Sequence, residues 1–139
     1  MAVTEWLLDK SAYVRLYDQL AVQNSIWGER VNRGLVRIPA IARLELAFSA
    51  RNGKEGRQDF ITPPLSLMPV EYLTPKDEDR ALEVQLLLAD KGQHRAASIP
   101  DLLTAAIAER RRLTVLCADK DYDLIGEVTG QPVENLSAG

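Results

Sequence analysis

The stretch Ile99-Pro100-Asp101-Leu102-Leu103-Thr104-Ala105-Ala106-Ile107-Ala108-Glu109-Arg110-Arg111-Arg112-Leu113-Thr114-Val115-Leu116-Cys117-Ala118-Asp119 passes from a helical pattern to a strand and ends on a carboxylate. Ser98 to Pro100 lead into a helix predicted over Asp101 to Arg112. An acid stands at its front and Arg110, Arg111 and Arg112 at its end, where each charge suits the helix dipole. Leu113 to Cys117 is the clearest strand of the chain. An apolar helix followed at once by an apolar strand is the second half of a βαβ unit. Repeated along a chain, that pattern specifies an α/β fold with a mostly parallel sheet and right-handed crossovers.

The rest of the sequence extends the alternation. Upstream, Glu5 to Leu8 reads as a first strand ending at Asp9. Ser11 then caps a helix carrying Tyr13, Leu16, Tyr17 and Leu20. Gln23 to Arg33 continues as helix, closed by Gly34. Leu35 to Ile38 is a second strand, and Pro39 opens a helix striped by Ile41, Leu44 and Phe48, with Glu45 inside it. Asn52 and Gly53 break that helix; a short polar one runs to Phe60 and stops before Pro63 and Pro64. Leu65 to Val70 reads as a third strand. Thr74-Pro75-Lys76-Asp77 starts a helix whose buried side is assigned to Leu82, Leu86 and Leu87 and which Gly92 ends. Downstream, Asp119 to Ile125 forms a short helix or turn, and Pro132 to Leu136 a last edge strand. No repeat, low-complexity tract or linker interrupts residues 1–139, so one domain is expected.

Composition narrows the function. Hydrophobic residues make up 46% and charged residues 27% of the chain, the balance of a globular protein. No apolar run is long enough for a membrane-spanning helix, and the first residues lack the pattern of a signal peptide. A single cysteine, Cys117, cannot form an internal disulfide, which points to a reducing cytoplasmic setting. Lys and Arg number 17 against 20 Asp and Glu, a net charge of −3. That balance does not announce a nucleic-acid binder, but acids gathered in one place can hold cations that face phosphate.

The position of the acids therefore matters more than their number. Asp9 and Asp119 each follow a predicted strand, and carboxyl ends of parallel strands form the ligand crevice of an open sheet. Asp101 stands at the tip of a helix rich in Leu, Ile and Ala. Glu45 lies between Leu44 and Leu46 in an apolar helix. Asp119, Asp121 and Asp123 crowd three negative charges into five residues. Taken alone, Asp9 and Asp119 read as helix caps, Asp101 as a helix-dipole contact, the Asp119–Asp123 run as a solvated turn and Glu45 as a solvated side chain on the outer face of its helix. Together they form an oxygen-only donor set suited to Mg²⁺ or Mn²⁺, the ions of phosphoryl chemistry. The spacing lacks the glycine and distal Glu of an EF-hand loop, and no Gly-rich phosphate loop is present.

Four segments carry a family resemblance. They are Trp6-Leu7-Leu8-Asp9-Lys10-Ser11-Ala12, Ile38-Pro39 through Arg43-Leu44-Glu45-Leu46, His94-Arg95-Ala96 with Ile99-Pro100-Asp101-Leu102-Leu103, and Val115-Leu116-Cys117-Ala118-Asp119-Lys120-Asp121-Tyr122-Asp123-Leu124-Ile125. Over nearly its whole length the chain resembles the PIN-domain ribonucleases, and among them the VapC-type toxins of bacterial toxin–antitoxin pairs. The resemblance implies a three-layer α/β/α fold around a mostly parallel sheet of four to five short strands. It implies a metal-dependent endoribonuclease with Asp9, Glu45, Asp101, Asp119 and Asp121 in the catalytic site. Asp9, Asp101, Asp119 and Asp121 would hold Mg²⁺, with Mn²⁺ able to substitute, and Ser11 would support Asp9. Asp119 and Asp121 remain alternatives for the closer ligand. RNA as substrate, a small cognate antitoxin and a homodimer are implied as well. The sequence departs from the family pattern at Lys10, where Thr is frequent, and at Cys117-Ala118.

Other residues complete the expectations. Arg43, Arg51, Lys54 and Arg57 flank the Glu45 region and are the candidates for RNA phosphate. His94, the only histidine, is expected to be exposed, and Cys117 to be a buried strand residue. Tyr13, Leu16, Tyr17, Leu20, Ile26 and Trp27 offer apolar surface for a dimer. The competing readings are a metal-dependent phosphatase or DNA nuclease using the same acids, and a non-catalytic RNA- or protein-binding module whose acids merely cap helices.

Overall fold

The computed structural model describes residues 3–136. Five strands, β1 (Trp6–Leu8), β2 (Val36–Pro39), β3 (Val70–Glu71), β4 (Thr114–Cys117) and β5 (Val133–Asn135), form one sheet in the order β3-β2-β1-β4-β5. Every neighbouring pair is parallel. The intervening helices are α1 (Tyr13–Leu20), α2 (Ile26–Asn32), α3 (Ala40–Phe48), α4 (Gly53–Ile61), α5 (Pro75–Asp90), α6 (Ile99–Arg111) and α7 (Asp121–Thr129).

Side chains alternate across the pleat and divide the core in two. Leu7, Val115 and Cys117 pack with buried residues of α5, α6 and α7, including Val84, Leu88, Ile107 and Ile125. Trp6, Leu8, Val36, Ile38 and Leu116 pack on the opposite face with Leu16, Trp27, Val31 and Ala42 from α1, α2 and α3. The result is the expected three-layer α/β/α arrangement. Burial on both faces explains why β1 and β4 read as unbroken apolar runs. Trp6 and Trp27 meet edge to face at 5.1 Å, and the Arg30 guanidinium covers both rings at 4.4 and 4.5 Å.

Local signals place the helices. Ser25 caps α2 and Asn52 caps α4 through side-chain oxygens. Thr74 with Asp77, and Ser98 with Asp101, close reciprocal capping boxes at the starts of α5 and α6. Gly34 takes φ +72°, the left-handed conformation that lets the chain leave α2 and enter β2.

Two expectations are corrected. The third strand is only Val70–Glu71, and Leu65–Leu67 form a 3-10 turn. Leu65 and Met68 are both buried; three residues apart, they lie on one side of such a turn, whereas a strand would send them to opposite faces. On α5 the buried side is Asp77, Ala81, Val84 and Leu88, while Leu82 and Leu86 are exposed and Leu87 is half-buried. Ala81, Val84 and Leu88 on that face join the core cluster with α6, and Asp77 on the same face is bonded by Arg110 of α6.

The arginines at the end of α6 do more than face a dipole. Arg110 donates to Asp77 at 2.7 and 3.0 Å. Arg111 pairs with the buried Glu71 at 3.0 Å, and Arg37 of β2 reaches the same carboxylate at 3.0 Å. Arg80 of α5 bonds Glu109 of α6 at 2.7 and 3.1 Å. These pairs lock α6 to α5 and to the sheet edge, which fixes where the opposite end of α6, with Asp101, comes to rest. Among the described residues no helix is long and apolar enough to cross a membrane. Residues 1–2 and 137–139 of the expected single domain lie outside the described residues.

Candidate active site

The chain adds β2 and β3 on one side of β1, then crosses to place β4 and β5 on the other. The strand order thus reverses between β1 and β4, the point at which an open parallel sheet places its ligand crevice, at the carboxyl ends of the strands. Asp9 and Asp119 follow those two strands. Asp101 approaches from the start of α6, and Glu45 from the middle of α3.

Asp9 is almost fully buried and both its oxygens have donors. The Ser11 amide donates to Oδ2 at 2.9 Å, and the Tyr122 hydroxyl donates to Oδ1 at 2.6 Å. Ser11 also joins the two strand ends directly, since its Oγ accepts from the Ala118 amide at 3.0 Å. Asp119 Oδ1 accepts from the Asp121 amide at 3.0 Å, and its carbonyl accepts from Asn135 Nδ2 at 2.8 Å. Asp101 Oδ2 accepts from the Ser98 amide at 3.4 Å. Each of these acids therefore has a local backbone task. The capping interpretation and the site interpretation hold together.

Electrostatics connects them. Burial pushes the Asp101 carboxyl up to about 6, and the Asp9 and Asp119 charges add to the rise. Asp119 is raised by burial and by Asp121 and Asp9, against the Asp121 amide bond that lowers it. Glu45 is raised by burial and by Asp9, with Lys10 opposing. Asp9 thus acts on Asp101, Asp119 and Glu45, and Asp121 acts on Asp119. No ion pair joins Asp9, Asp101 or Asp119 to a Lys or Arg among the described residues. No three acid, His or Cys side chains there converge on a single ligating point. A set of carboxylate oxygens whose negative charges raise one another's proton affinity suits a hard divalent cation.

The expected basic residues are spread over α3 and α4. The Arg43 guanidinium lies 5.3 Å from the Phe60 ring. Two residues from Glu45, it stands about 200° round the helix from that side chain. Arg57 folds back over Gly53. Arg51 pairs with Glu55 at 3.1 Å, and Lys54 is exposed. His94 is exposed and Cys117 is buried. Burial, then Asp119, pushes the Cys117 thiol up to about 12, which leaves it unreactive near neutral pH.

Sequence reasoning missed Tyr122, Thr104 and Asn135. A signal existed for Tyr122: a phenol in a helix that packs into an α/β core needs a buried acceptor.

Comparisons with known proteins identify the family and the fold. The family model described as PIN domain matches residues 6–128. Over 137 residues the chain is 58% identical to Ribonuclease VapC2 of Mycobacterium tuberculosis (strain CDC 1551 / Oshkosh), covering 99% of this chain and 96% of that protein. Among solved structures it is similar to DNA-bound VapBC from Salmonella typhimurium, with a TM-score of 0.73 at 16% identity, over 96% of this chain and 99% of that one. It is also similar to VapBC-5 of Mycobacterium tuberculosis, a member of the VapBC family of toxin–antitoxin systems. That match has a TM-score of 0.65 at 19% identity, over 96% of this chain and 99% of that one. At these identities the structural likeness speaks for the fold.

Proposed function

We propose, from the premise that this chain belongs to the PIN-domain family, that it is an endoribonuclease that hydrolyses RNA phosphodiester bonds with a divalent cation and serves as the toxin of a toxin–antitoxin pair. What supports the reading is that Asp9 and Asp119 follow the adjacent strands β1 and β4, and that burial, with the charges of neighbouring acids, raises both Asp101 and Asp119. Isolated helix caps would not act on one another in this way.

Asp9, Asp101 and Asp119 would hold Mg²⁺, with Asp121 beside Asp119 as the fourth carboxylate. Such an ion supplies Lewis acidity and offsets the negative charge that builds on the scissile phosphate. Glu45, whose carboxyl is raised above its ordinary value by burial and by Asp9, would be the group to accept a proton from the attacking water. Ser11 holds the ends of β1 and β4 together. Arg43, Lys54 and Arg57, with Arg51 from its exposed and therefore weak ion pair, would steady the RNA backbone. Hydrolysis by water leaves a 3′-hydroxyl and a 5′-phosphate.

Excess EDTA is expected to abolish cleavage of RNA by the purified protein, and added Mg²⁺ or Mn²⁺ to restore it. Equal rates in EDTA and in Mg²⁺ would remove the cation from the mechanism. Double-stranded DNA and phosphomonoesters assayed beside RNA separate this reading from a DNA nuclease or a phosphatase.

An antitoxin is the expected partner, since an unrestrained ribonuclease would cut its own host's RNA. A homodimer is proposed on different residues from those the sequence suggested. Leu16 and Trp27 belong to the core, so α1 and α2 offer Val14, Tyr17 and Ile26 as well-exposed large side chains, at 67%, 55% and 56% exposure. On α3, Leu44 and Phe48 stand one turn apart at 72% and 91% exposure, a stronger apolar pair for a two-fold contact. Phe48→Glu is expected to convert the dimer to a monomer at micromolar concentration in sedimentation analysis. A dimer that persists in this variant would place the interface elsewhere.

A further inference from the structure

The hydrogen bond from Tyr122 to Asp9 is the shortest that Asp9 makes, at 2.6 Å, and it spans 113 residues of sequence. Tyr122 is fully buried in the first turn of α7, two residues beyond Lys120 and three beyond Asp119. Its ring packs in the core cluster with Leu102, Ile107 and Val115. From α6, the buried hydroxyl of Thr104 lies within hydrogen-bonding reach of the phenol oxygen. A line of contacts thus runs from α6 through α7 to the end of β1.

We infer that Tyr122 is a positioning residue that fixes Asp9 for a divalent cation, with Thr104 fixing the phenol in turn. The inference rests on the proposed cation-dependent site and assigns it a support of its own. A carboxylate oxygen has two lone pairs. With the Ser11 amide on Oδ2 and the phenol on Oδ1, each oxygen keeps one lone pair and the plane of the carboxylate is set from both sides. Ser11 N alone would leave the group free to turn about its last torsion, which is broad and soft for Asp. A buried ring offers little freedom, so the phenol is a rigid donor. Partners of this kind orient metal ligands, and their removal weakens metal affinity by about ten- to a hundredfold. The tyrosine oxygen does not itself enter the donor set in this assignment; it acts through Asp9.

The test is Tyr122→Phe, which removes one oxygen and keeps the ring. Mn²⁺ affinity of the cation-free protein is measured by calorimetry, alongside thermal melting without cation and RNA cleavage as a function of Mg²⁺ concentration. The expected result is Mn²⁺ binding about tenfold weaker in the variant. The Mg²⁺ requirement for cleavage should move to higher concentration, and the rate at saturating Mg²⁺ should recover to within a few fold of wild type. Binding of Mn²⁺ within twofold of wild type overturns the assignment, whatever happens to the melting temperature, because a purely structural hydroxyl would change melting alone. If the variant does not fold, Thr104→Val carries the same test, with at least a threefold loss of Mn²⁺ affinity expected and an unchanged affinity overturning the role. Failure of the nuclease reading is distinct: wild type would then bind Mn²⁺ yet leave RNA uncut. A wild type that binds no Mn²⁺ overturns both.

Discussion

Asp101→Asn is expected to lower RNA cleavage by at least about a thousandfold, roughly 4 kcal/mol of barrier, while making the cation-free protein more stable. The two effects share one cause. Asparagine keeps an oxygen that can accept from the Ser98 amide, so the capping box at the start of α6 survives. What disappears is a buried negative charge facing Asp9 and Asp119. That charge is unfavourable in the cation-free fold, as the rise of the Asp101 carboxyl to about 6 records. The folded state holds this proton more tightly than the unfolded chain does. Stability from this group therefore increases as pH falls from about 7 through 6 toward the ordinary carboxylate range. The asparagine variant has the gain at neutral pH already, up to about 3 kcal/mol for a rise of this size, and loses that part of the pH slope. Paired melting curves at pH 5 and pH 7.5, with cleavage in Mg²⁺, test both halves. Cleavage retained within about tenfold, a barrier change of only ~1.4 kcal/mol, would take Asp101 out of the site.

The largest loss of stability is expected at a carboxylate far from the chemistry. Asp77→Ala should cost about 3–5 kcal/mol, a large share of the roughly 5–15 kcal/mol that holds a domain together. Asp77 is 1% exposed. It accepts from the Thr74 amide at 2.9 Å and from two nitrogens of Arg110 at 2.7 and 3.0 Å. Burial pushes its carboxyl up, but the bonds from Arg110 and Thr74 outweigh burial and hold it below the usual carboxylate range. Its stabilisation is therefore present above the ordinary Asp pKa and is lost as pH falls through the depressed value. Truncation breaks the capping box, frees the end of α6 and leaves Arg110 without its carboxylate. Urea unfolding measures the loss, and a change under about 1 kcal/mol would show that the pair contributes no more than a surface contact. Below the unfolding transition, cleavage per folded molecule should remain near wild type.

Asp77 and Asp101 occupy the same sequence context, an acid at the third position of a helix opened by Thr or Ser with Pro close behind. Sequence shows the box in both and cannot distinguish their fates, because these depend on what the fold brings opposite: Arg110 in one case, Asp9 and Asp119 in the other. The alternation of strands and helices was legible because hydrophobic period is local. The crevice was legible too, since it needs only strand-end carboxylates and a parallel sheet. The short β3 and the buried side of α5 were not. Leu65 is core as its apolar character implies, but in a 3-10 turn rather than a strand, and Leu82 is left in water; in both, the packing that decides comes from distant segments. Tyr122 escaped for the same reason. Its acceptor lies on the first strand, and no local pattern marks a phenol that crosses the molecule.

The central strand has a bearing on how the enzyme is made. β1 is synthesised more than a hundred residues before its partner β4, and Ser11 meets Ala118 across 107 residues. Contacts of such long range close slowly and late in folding. A nascent chain that already displays Asp9, Glu45 and Asp101 would still lack the proposed catalytic centre until the segment through Tyr122 has emerged and docked beside β1. Translation that stops before that point is expected to release a polypeptide without nuclease activity, because the strand order leaves β1 without the neighbour that completes the proposed site.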